Sequence, residues 1–329
     1  MRPFRYERAT DAATAVATAA ASEEQAFLAG GTNLVDLMKL EVATPACVID
    51  IRGVTSDRVE ELADGGLRIG AAVRNSRLAA DTTVRRRYPV LAEALLSGAS
   101  GQLRNQATVG GNLLQRTRCV YFHDITTPCN KREPRSGCSA AAGFGRDAAI
   151  LGASDSCVAT HPSDMAVALA ALDAVVHTKT SAGGRSVPVL ELHRLPGDEA
   201  GRDTVLEHGE LITHVDLPPL GFASNSRYWK VRDRASYAFA LVSVAAALDV
   251  ADGVVRDVRL ALGGAAHKPW RAAVLEQTLR GAAATEESFR IAAQAELAQA
   301  RPLKDNAFKV PLAINMITRI LTDLAGSHR

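Results

Sequence analysis

A mixed helix-and-strand fold, α/β or α+β, is predicted for roughly the first 220 residues, because short apolar strands there alternate with helical stripes. Length adds a second unit, since 329 residues are many for one core and comfortable for two or three. A hairpin signal marks it: apolar runs at Tyr237–Val250 and Val254–Leu262 flank Asp252-Gly253. Apolar residues make up 47% of the chain, enough to fill such cores, so disorder is excluded.

Pro3–Tyr6 reads as a first strand and Thr10–Ala21 as a helix capped by Thr10 or Asp11. Arg2, Arg5 and Arg8 precede an alanine-rich stretch, but Glu7 and Asp11 interrupt it, so no export signal is expected. Gln25–Ala29 is a short strand, followed by Gly30-Gly31-Thr32-Asn33 and a helix over Leu34–Leu40. Strand, glycine turn and helix start together aim backbone N–H groups at a phosphate. The spacing fits neither a Rossmann nor a P-loop fingerprint. Cys47–Ile51 reads as a buried strand in which Cys47 is a small core hydrophobe. A strand at Gly66–Ala71 and helices at Asn75–Ala80 and Pro89–Ser97 follow.

A second glycine turn, Thr108-Val109-Gly110-Gly111-Asn112, again has a hydroxyl residue and an asparagine at its edges. Two such turns from opposing sub-structures can clamp the two phosphoryl groups of a diphosphate. Directly after it come Cys119, Cys129, Cys138 and Cys157, with 9, 8 and 18 residues between successive members. In a chain without an export signal this clustering points to metal rather than disulfides. The paired knuckles of a structural zinc site are absent, and iron–sulfur clusters accept wider spacing, yet spacing alone leaves zinc in competition. No periodic stretch is read between Cys119 and Cys138. Arg116, Arg118, Lys131, Arg132 and Arg135 would balance a thiolate cluster, or form a solvated loop surface or docking patch.

Pro162-Ser163-Asp164 opens a helix capped by Ser163 or Asp164. Ala174–Lys179 and Ser186–Pro188 form a hairpin, and Glu210–Leu217 is a further strand. Ser226–Arg232 opens the second unit, with Lys230 reading locally as an edge-strand cation. Helices are expected at Trp270–Arg280, Glu286–Ala300 and Pro311–Leu324. His161, His177, His193, His208, His214 and His267 show no metal-binding spacing and read as surface or satisfied core. A net charge of +2, few aromatics and no long basic run exclude nucleic-acid binding. Without an apolar run of ~18 residues there is no membrane span, and without a nucleophile elbow no hydrolase.

On these residues the chain resembles the medium, FAD-binding subunits of the molybdenum hydroxylases, the xanthine dehydrogenase and carbon monoxide dehydrogenase family. The resemblance runs through FLAGGTNLVDLMKLE, SGQLRNQATVGGNLLQRTRC, THPSDMAVALAALDAVV, GELI, KVRDRASYAFALVSVAAAL and LGGAAHKPWRA. It is nearest to the flavin and iron–sulfur subunits of periplasmic aldehyde oxidoreductases. It implies an α+β, two-subdomain FAD-binding fold of the vanillyl-alcohol-oxidase type, with subdomains at 1–55 and 56–222 and an iron–sulfur loop at 113–160. A C-terminal domain at 223–329 would hold a three-stranded antiparallel sheet and a helical bundle.

The same resemblance implies that FAD is lined by Phe27, Leu28, Ala29, Gly30, Gly31, Thr32, Asn33, Leu34, Thr108, Val109, Gly110, Gly111 and Asn112. Asp164, Ile212 and Lys230 would reach the flavin, ribityl or adenine portions, Ile212 by motif alone. A [4Fe–4S] cluster would sit on Cys119, Cys129, Cys138 and Cys157, with Cys47 matching no cluster position. The implied role is electron transfer within a heterotrimer. A large molybdenum-cofactor subunit oxidises the substrate, a small [2Fe–2S] subunit relays electrons, and FAD passes them to an external acceptor. No catalytic residue is then expected in this chain. A self-sufficient FAD-dependent oxidase or reductase and a zinc-stabilised nucleotide-binding module are the alternatives. Folding in the cytoplasm is implied, with export to the periplasm only alongside a signal-bearing partner.

Overall fold

Three sheets organise the chain in a computed structural model that describes residues 1–326; the last three residues of the expected C-terminal domain, 327–329, lie outside the described residues. The first sheet is parallel, with β1 (Arg5–Arg8), β2 (Gln25–Leu28) and β3 (Cys47–Asp50) in the order β1-β3-β2. Parallel neighbours need crossovers, which the helices Ala12–Ala20 and Leu34–Lys39 supply. Asp11 caps the first of these, its carboxylate accepting from the Thr14 N–H at 2.9 Å. Central β3 is buried at every residue, and Cys47 packs there with Ala19 and Ile49 as a core hydrophobe.

The second sheet is antiparallel: β4 (Val59–Glu61), β5 (Leu67–Gly70), β6 (Val175–Thr180), β7 (Gly183–Pro188) and β8 (Leu211–Leu217), ordered β4-β5-β8-β6-β7. More than a hundred residues separate β5 from β6, and they carry the helices, the second glycine segment and the cysteine loop. The third sheet has β9 (Ser226–Val231), β10 (Val242–Ala251), β11 (Val254–Gly263) and β12 (Trp270–Arg271) in the order β12-β11-β10-β9. Helices Ala273–Leu279, Glu286–Leu297 and Lys309–Gly326 cover it, placing Leu275, Phe289, Ile317 and Leu321 in one core with Val244, Leu248 and Leu260.

Several local expectations change. Trp270–Arg271 is a short fourth strand of the C-terminal sheet, and the helix after it begins only at Ala273. Residues 237–241 are loop rather than strand, with Tyr237 and Phe239 exposed. Helix Gly101–Gln106 was not expected, because it carries no apolar stripe, while Thr82–Arg87 supplies the helix end on which Arg85-Arg86-Arg87 reads as a solvated face. Their caps make them: the Asp81 carboxylate accepts from Thr83 and Val84, and the Ser100 hydroxyl accepts from Leu103. A single helical turn, Val120–His123, interrupts the stretch between Cys119 and Cys138 that was expected to be irregular throughout.

The helix Asp164–Ala171 joins the units. It is buried at every residue from Met165 to Ala171, packing against Pro89–Ser97 on one side and β10 and β11 on the other. That explains its unbroken apolar sequence, which no solvent-facing helix would tolerate.

Candidate functional site

A cleft of about 1370 Å³ opens between the parallel sheet, the antiparallel subdomain and the C-terminal sheet. Its volume exceeds the ~300–1,000 Å³ common for drug-sized ligands and suits an elongated dinucleotide. It is lined by Phe27, Ala29, Gly30, Gly31, Thr32, Asn33 and Leu34 from the first turn, and by Thr108, Gly110, Gly111 and Asn112 from the second. Asp164, Ile212 and Lys230 complete the set brought together from distant parts of the chain. Leu28 and Val109 do not line it; Val109 belongs to the core of the second subdomain.

The two glycine segments do different jobs. In the first, the backbone N–H groups of Gly30, Gly31, Thr32 and Asn33 donate to no acceptor among the described residues. Gly31 sits at φ +72°, a left-handed conformation that turns the chain into the Leu34–Lys39 helix. Consecutive unpaired donors at a helix start form an anion cradle. The second segment is not a turn but a short helix, Val109–Leu113. Thr108 caps it by accepting from Gly111, while the Val109 and Gly110 N–H groups are spent on the Val73 and Ala71 carbonyls, each at 3.0 Å. Its glycines therefore supply clearance: a Cβ on Gly110 would come 3.1 Å from that of Ala71.

Three residues of the cleft wall also carry buried polar atoms without partners. Asn33 Oδ1 accepts from the Arg116 N–H at 2.9 Å, but its Nδ2 has no partner. Asn75 Oδ1 and His161 Nε2 are likewise unpaired and lie in the same wall. Such orphans are rare in folded proteins and mark places where a ligand or water completes the bonding. Asn75 carries no motif, and His161, although it lies in the THPSD stretch, reads from the sequence as surface or satisfied core.

Lys230 is not a solvated edge cation. Although β9 is an edge strand, the Lys230 ammonium lies 2.7 Å from Asp164 Oδ2, and the two side chains are only 3% and 9% exposed. The Tyr228 hydroxyl donates to the other Asp164 oxygen at 2.5 Å. Burial, and then the neighbouring carboxylate, hold that phenol protonated far above its ordinary range. Asp164 opens the central helix, whose cap Ser163 hydrogen-bonds Asn112 Oδ1 at 2.5 Å. The ion pair, the helix and the second glycine segment are thus one connected wall.

All four cysteines of the loop line a second, small cavity, none of them in a disulfide. Cys129 and Cys138 face each other across an isolated antiparallel bridge, and the Asn130 side chain reaches the Ser156 carbonyl at 2.9 Å beside Cys157. Burial pushes the Cys119 thiol up and that of Cys157 to about 11. Lys131 is no surface charge: its ammonium is buried beside these thiols, bonded to the Ala200 carbonyl, Asp203 and His267. Burial alone would raise the Asp203 carboxyl, but His267, Arg116 and Lys131 together hold it far below the usual range. Arg132 is also turned inward, donating to the Tyr121, Phe122 and Thr127 carbonyls. Thr117, Cys119, Ala140 and Ala159 line both cavities, so the two share a wall.

In the cleft wall His161 packs against His193, the rings tilted by 58° with centroids 4.2 Å apart. His193 Nε2 donates to the Leu113 carbonyl at 2.8 Å, and burial drops its pKa to about 4. His161 is lowered too, by burial and by His193 beside it. As pH falls below 6.5 the unfolded chain takes up these protons while the folded chain does not, so stability is lost between pH 6.5 and about 4. His193 alone is expected to remove about 2 kcal/mol between pH 7 and pH 5. Urea unfolding at the two pH values checks this, and His193→Gln should flatten the dependence by that amount.

A two-subdomain cleft with unpaired N–H donors and a C-terminal sheet joined to it by a buried ion pair fit the class of dinucleotide-binding proteins. Residues 2–220 match the family model described as FAD binding domain in molybdopterin dehydrogenase, and residues 227–324 match the CO dehydrogenase flavoprotein C-terminal domain. The chain belongs to this family of FAD-binding oxidoreductase subunits. It is 51% identical over 325 residues to the aldehyde oxidoreductase FAD-binding subunit PaoB of Escherichia coli (strain K12), covering 98% of each chain. The glyceraldehyde dehydrogenase medium chain of Sulfolobus acidocaldarius is 26% identical, with 92% of this chain and 90% of that one covered. Among solved structures, carbon monoxide dehydrogenase from Hydrogenophaga pseudoflava superposes with a TM-score of 0.76 at 25% identity over 99% of both chains. Quinoline 2-oxidoreductase from Pseudomonas putida 86 shares the fold at the same TM-score of 0.76, with 23% identity over 99% of this chain and 98% of that one. Among the described residues no helix is long and apolar enough to cross a membrane.

Proposed function

We propose that this chain is the FAD- and [4Fe–4S]-binding electron-transfer subunit of a heterotrimeric molybdenum-cofactor aldehyde oxidoreductase. The observation that carries the reading is the wall common to the cleft and the cysteine cavity, which includes the Cys119 thiol itself. Four thiols around one cavity, with a buried lysine beside them, suit a four-thiolate cluster, whose net charge is negative. The aldehyde assignment follows the PaoB likeness across the whole chain. A small [2Fe–2S] subunit and a large molybdenum subunit are the partners, and the electron acceptor is external.

Bound FAD would accept and release electrons at its ring, and the protein's part is to hold and tune it. The unpaired N–H groups of Gly30–Asn33 would take the diphosphate, with Asn33 Nδ2 adding a donor. The Asp164–Lys230 pair fixes two charges in the cleft wall without solvent access. Residues 113–160 place the thiols and bury their cation, Lys131. The chain supplies no nucleophile and no general base in this scheme. Whether the protein works in the cytoplasm or in the periplasm depends on a signal on its partner.

Anaerobically purified protein should contain about four iron per chain and show flavin bands over a broad shoulder that bleaches on reduction. Flavin without iron would leave a self-sufficient flavoprotein, and tightly held zinc without iron would leave a zinc-stabilised module. Cys138→Ser is expected to lose the iron while flavin stays bound, read from iron analysis and the flavin-to-protein absorbance ratio. Loss of both together would show that the cysteine loop is part of the flavin fold and not a separate electron station.

A further inference from the structure

We propose that His177, His214 and Asp216 form a binding site for a transition-metal dication of the zinc class, on the solvent-facing side of the antiparallel subdomain sheet. The site is built from β6 and β8, where His177 and His214 stand directly opposite in register. Asp216 follows two residues after His214 and so shares its face. One donor atom from each of the three lies within 4.8 Å of the others. None of them lines the cleft or the cysteine cavity.

The hydrogen bonds around the three side chains leave a gap that a cation fills. His214 Nδ1 is engaged by the Thr213 hydroxyl at 2.9 Å, while its Nε2 is buried with no partner. His177 Nδ1 is engaged by the Ser186 hydroxyl at 3.0 Å, and its Nε2 lies 3.0 Å from Asp216 Oδ2. The Thr213 hydroxyl donates to the His177 carbonyl, so it accepts from His214 Nδ1–H and leaves a lone pair on His214 Nε2, while His177 Nε2 and Asp216 Oδ2 hold between them a proton that a metal would displace. A metal in place of that proton would bond all three side chains, whose donor atoms lie within 4.8 Å of one another and would draw together to reach bonds of about 2.0–2.1 Å. The outer contacts are those that orient metal ligands: two hydroxyls on the imidazoles, and Arg68 on Asp216 through Nε at 2.9 Å and Nη2 at 2.8 Å. The rings are stacked at 4.2 Å with an 11° tilt, so binding requires them to rotate out of the stack until both Nε2 lone pairs meet at one point beside the carboxylate. Two imidazoles and one carboxylate select zinc, nickel or copper over calcium or magnesium, which want oxygen donors. Three protein ligands leave a position for water. The ion would tie β6 to β8 and stiffen the sheet carrying Ile212.

The test uses the full chain with its flavin bound, loaded with zinc sulfate, gel-filtered into zinc-free buffer and analysed for zinc, iron and flavin. One zinc per chain above the content before loading is expected, with a raised melting temperature. His214→Gln and His177→Asn, polar replacements at half-buried strand positions, should each lose that zinc and the thermal shift while keeping flavin and iron unchanged. Zinc uptake equal in wild type and both variants would assign it to the thiols and overturn the proposal. Absence of uptake by the wild type would overturn it as well.

Discussion

Gly30→Ala is expected to lose FAD, because the added Cβ would collide with the Gln106 carbonyl oxygen and come within 3.1 Å of the Ala107 Cα. Neither neighbour can step aside cheaply. Gln106 ends the Gly101–Gln106 helix, and Ala107 closes it by donating to the Leu103 carbonyl at 2.8 Å. The next residue is Thr108, the cap of the second glycine segment, so pushing Gln106 away spreads both sides of the diphosphate cradle at once. Overpacking against fixed backbone costs about 1–3 kcal/mol, or roughly five- to 150-fold in flavin affinity. The flavin-to-protein absorbance ratio after gel filtration reads it. Gly101→Ala is the control: an added Cβ there meets nothing within 4 Å, and stability should be unchanged or slightly raised. Full flavin retention by Gly30→Ala would mean that the two segments do not close on the cofactor together.

The first glycine turn was legible because its signals are local: a short apolar strand, two glycines, then helical spacing from Leu34. The second was read as a like turn because glycine pairs rarely sit inside helices, and only Thr108, as a cap, hinted otherwise. The short helix after Ser100 buries little and carries no stripe, so its capping residue was the sole trace. The cysteines are visible as a set, but their spacing leaves zinc and iron–sulfur open, because no local pattern says which ion the folded loop encloses. Lys131 and Arg132 looked like loop charges, since nothing local says that Ala200, Asp203 and His267 close over the lysine. Lys230 is the sharpest case. Its strand neighbours give an edge pattern, while its partner Asp164 lies 66 residues earlier, and pairing at that distance is a property of the fold alone. Asn75 has no pattern at all, and His161 sits in the THPSD stretch without a local sign that its Nε2 is left open.

Breaking the Asp164–Lys230 pair from either side should cost far more than removing it whole. Lys230→Met leaves a buried carboxylate with only the Tyr228 hydroxyl, and Asp164→Asn leaves a buried ammonium with neutral acceptors alone, the new amide oxygen and the Ser97 carbonyl at 3.2 Å. Each single change is expected to lose about 3–5 kcal/mol, the usual cost of an uncompensated buried charge. The double variant replaces the pair with neutral groups of similar size and should recover about 1–3 kcal/mol relative to the sum of the singles. Urea unfolding of all four proteins gives the cycle. Additivity within about 0.5 kcal/mol would mean that water reaches the pair and the charges are screened. The flavin ratio separates stability from function. Asp164 starts the helix that supports Asn112 through Ser163, and Lys230 belongs to the C-terminal sheet, so the pair latches that sheet onto the cleft. If the latch only holds domains together, the double variant should keep its flavin. If it also holds a charge against the cofactor, flavin should stay weak in the double variant even where stability has returned.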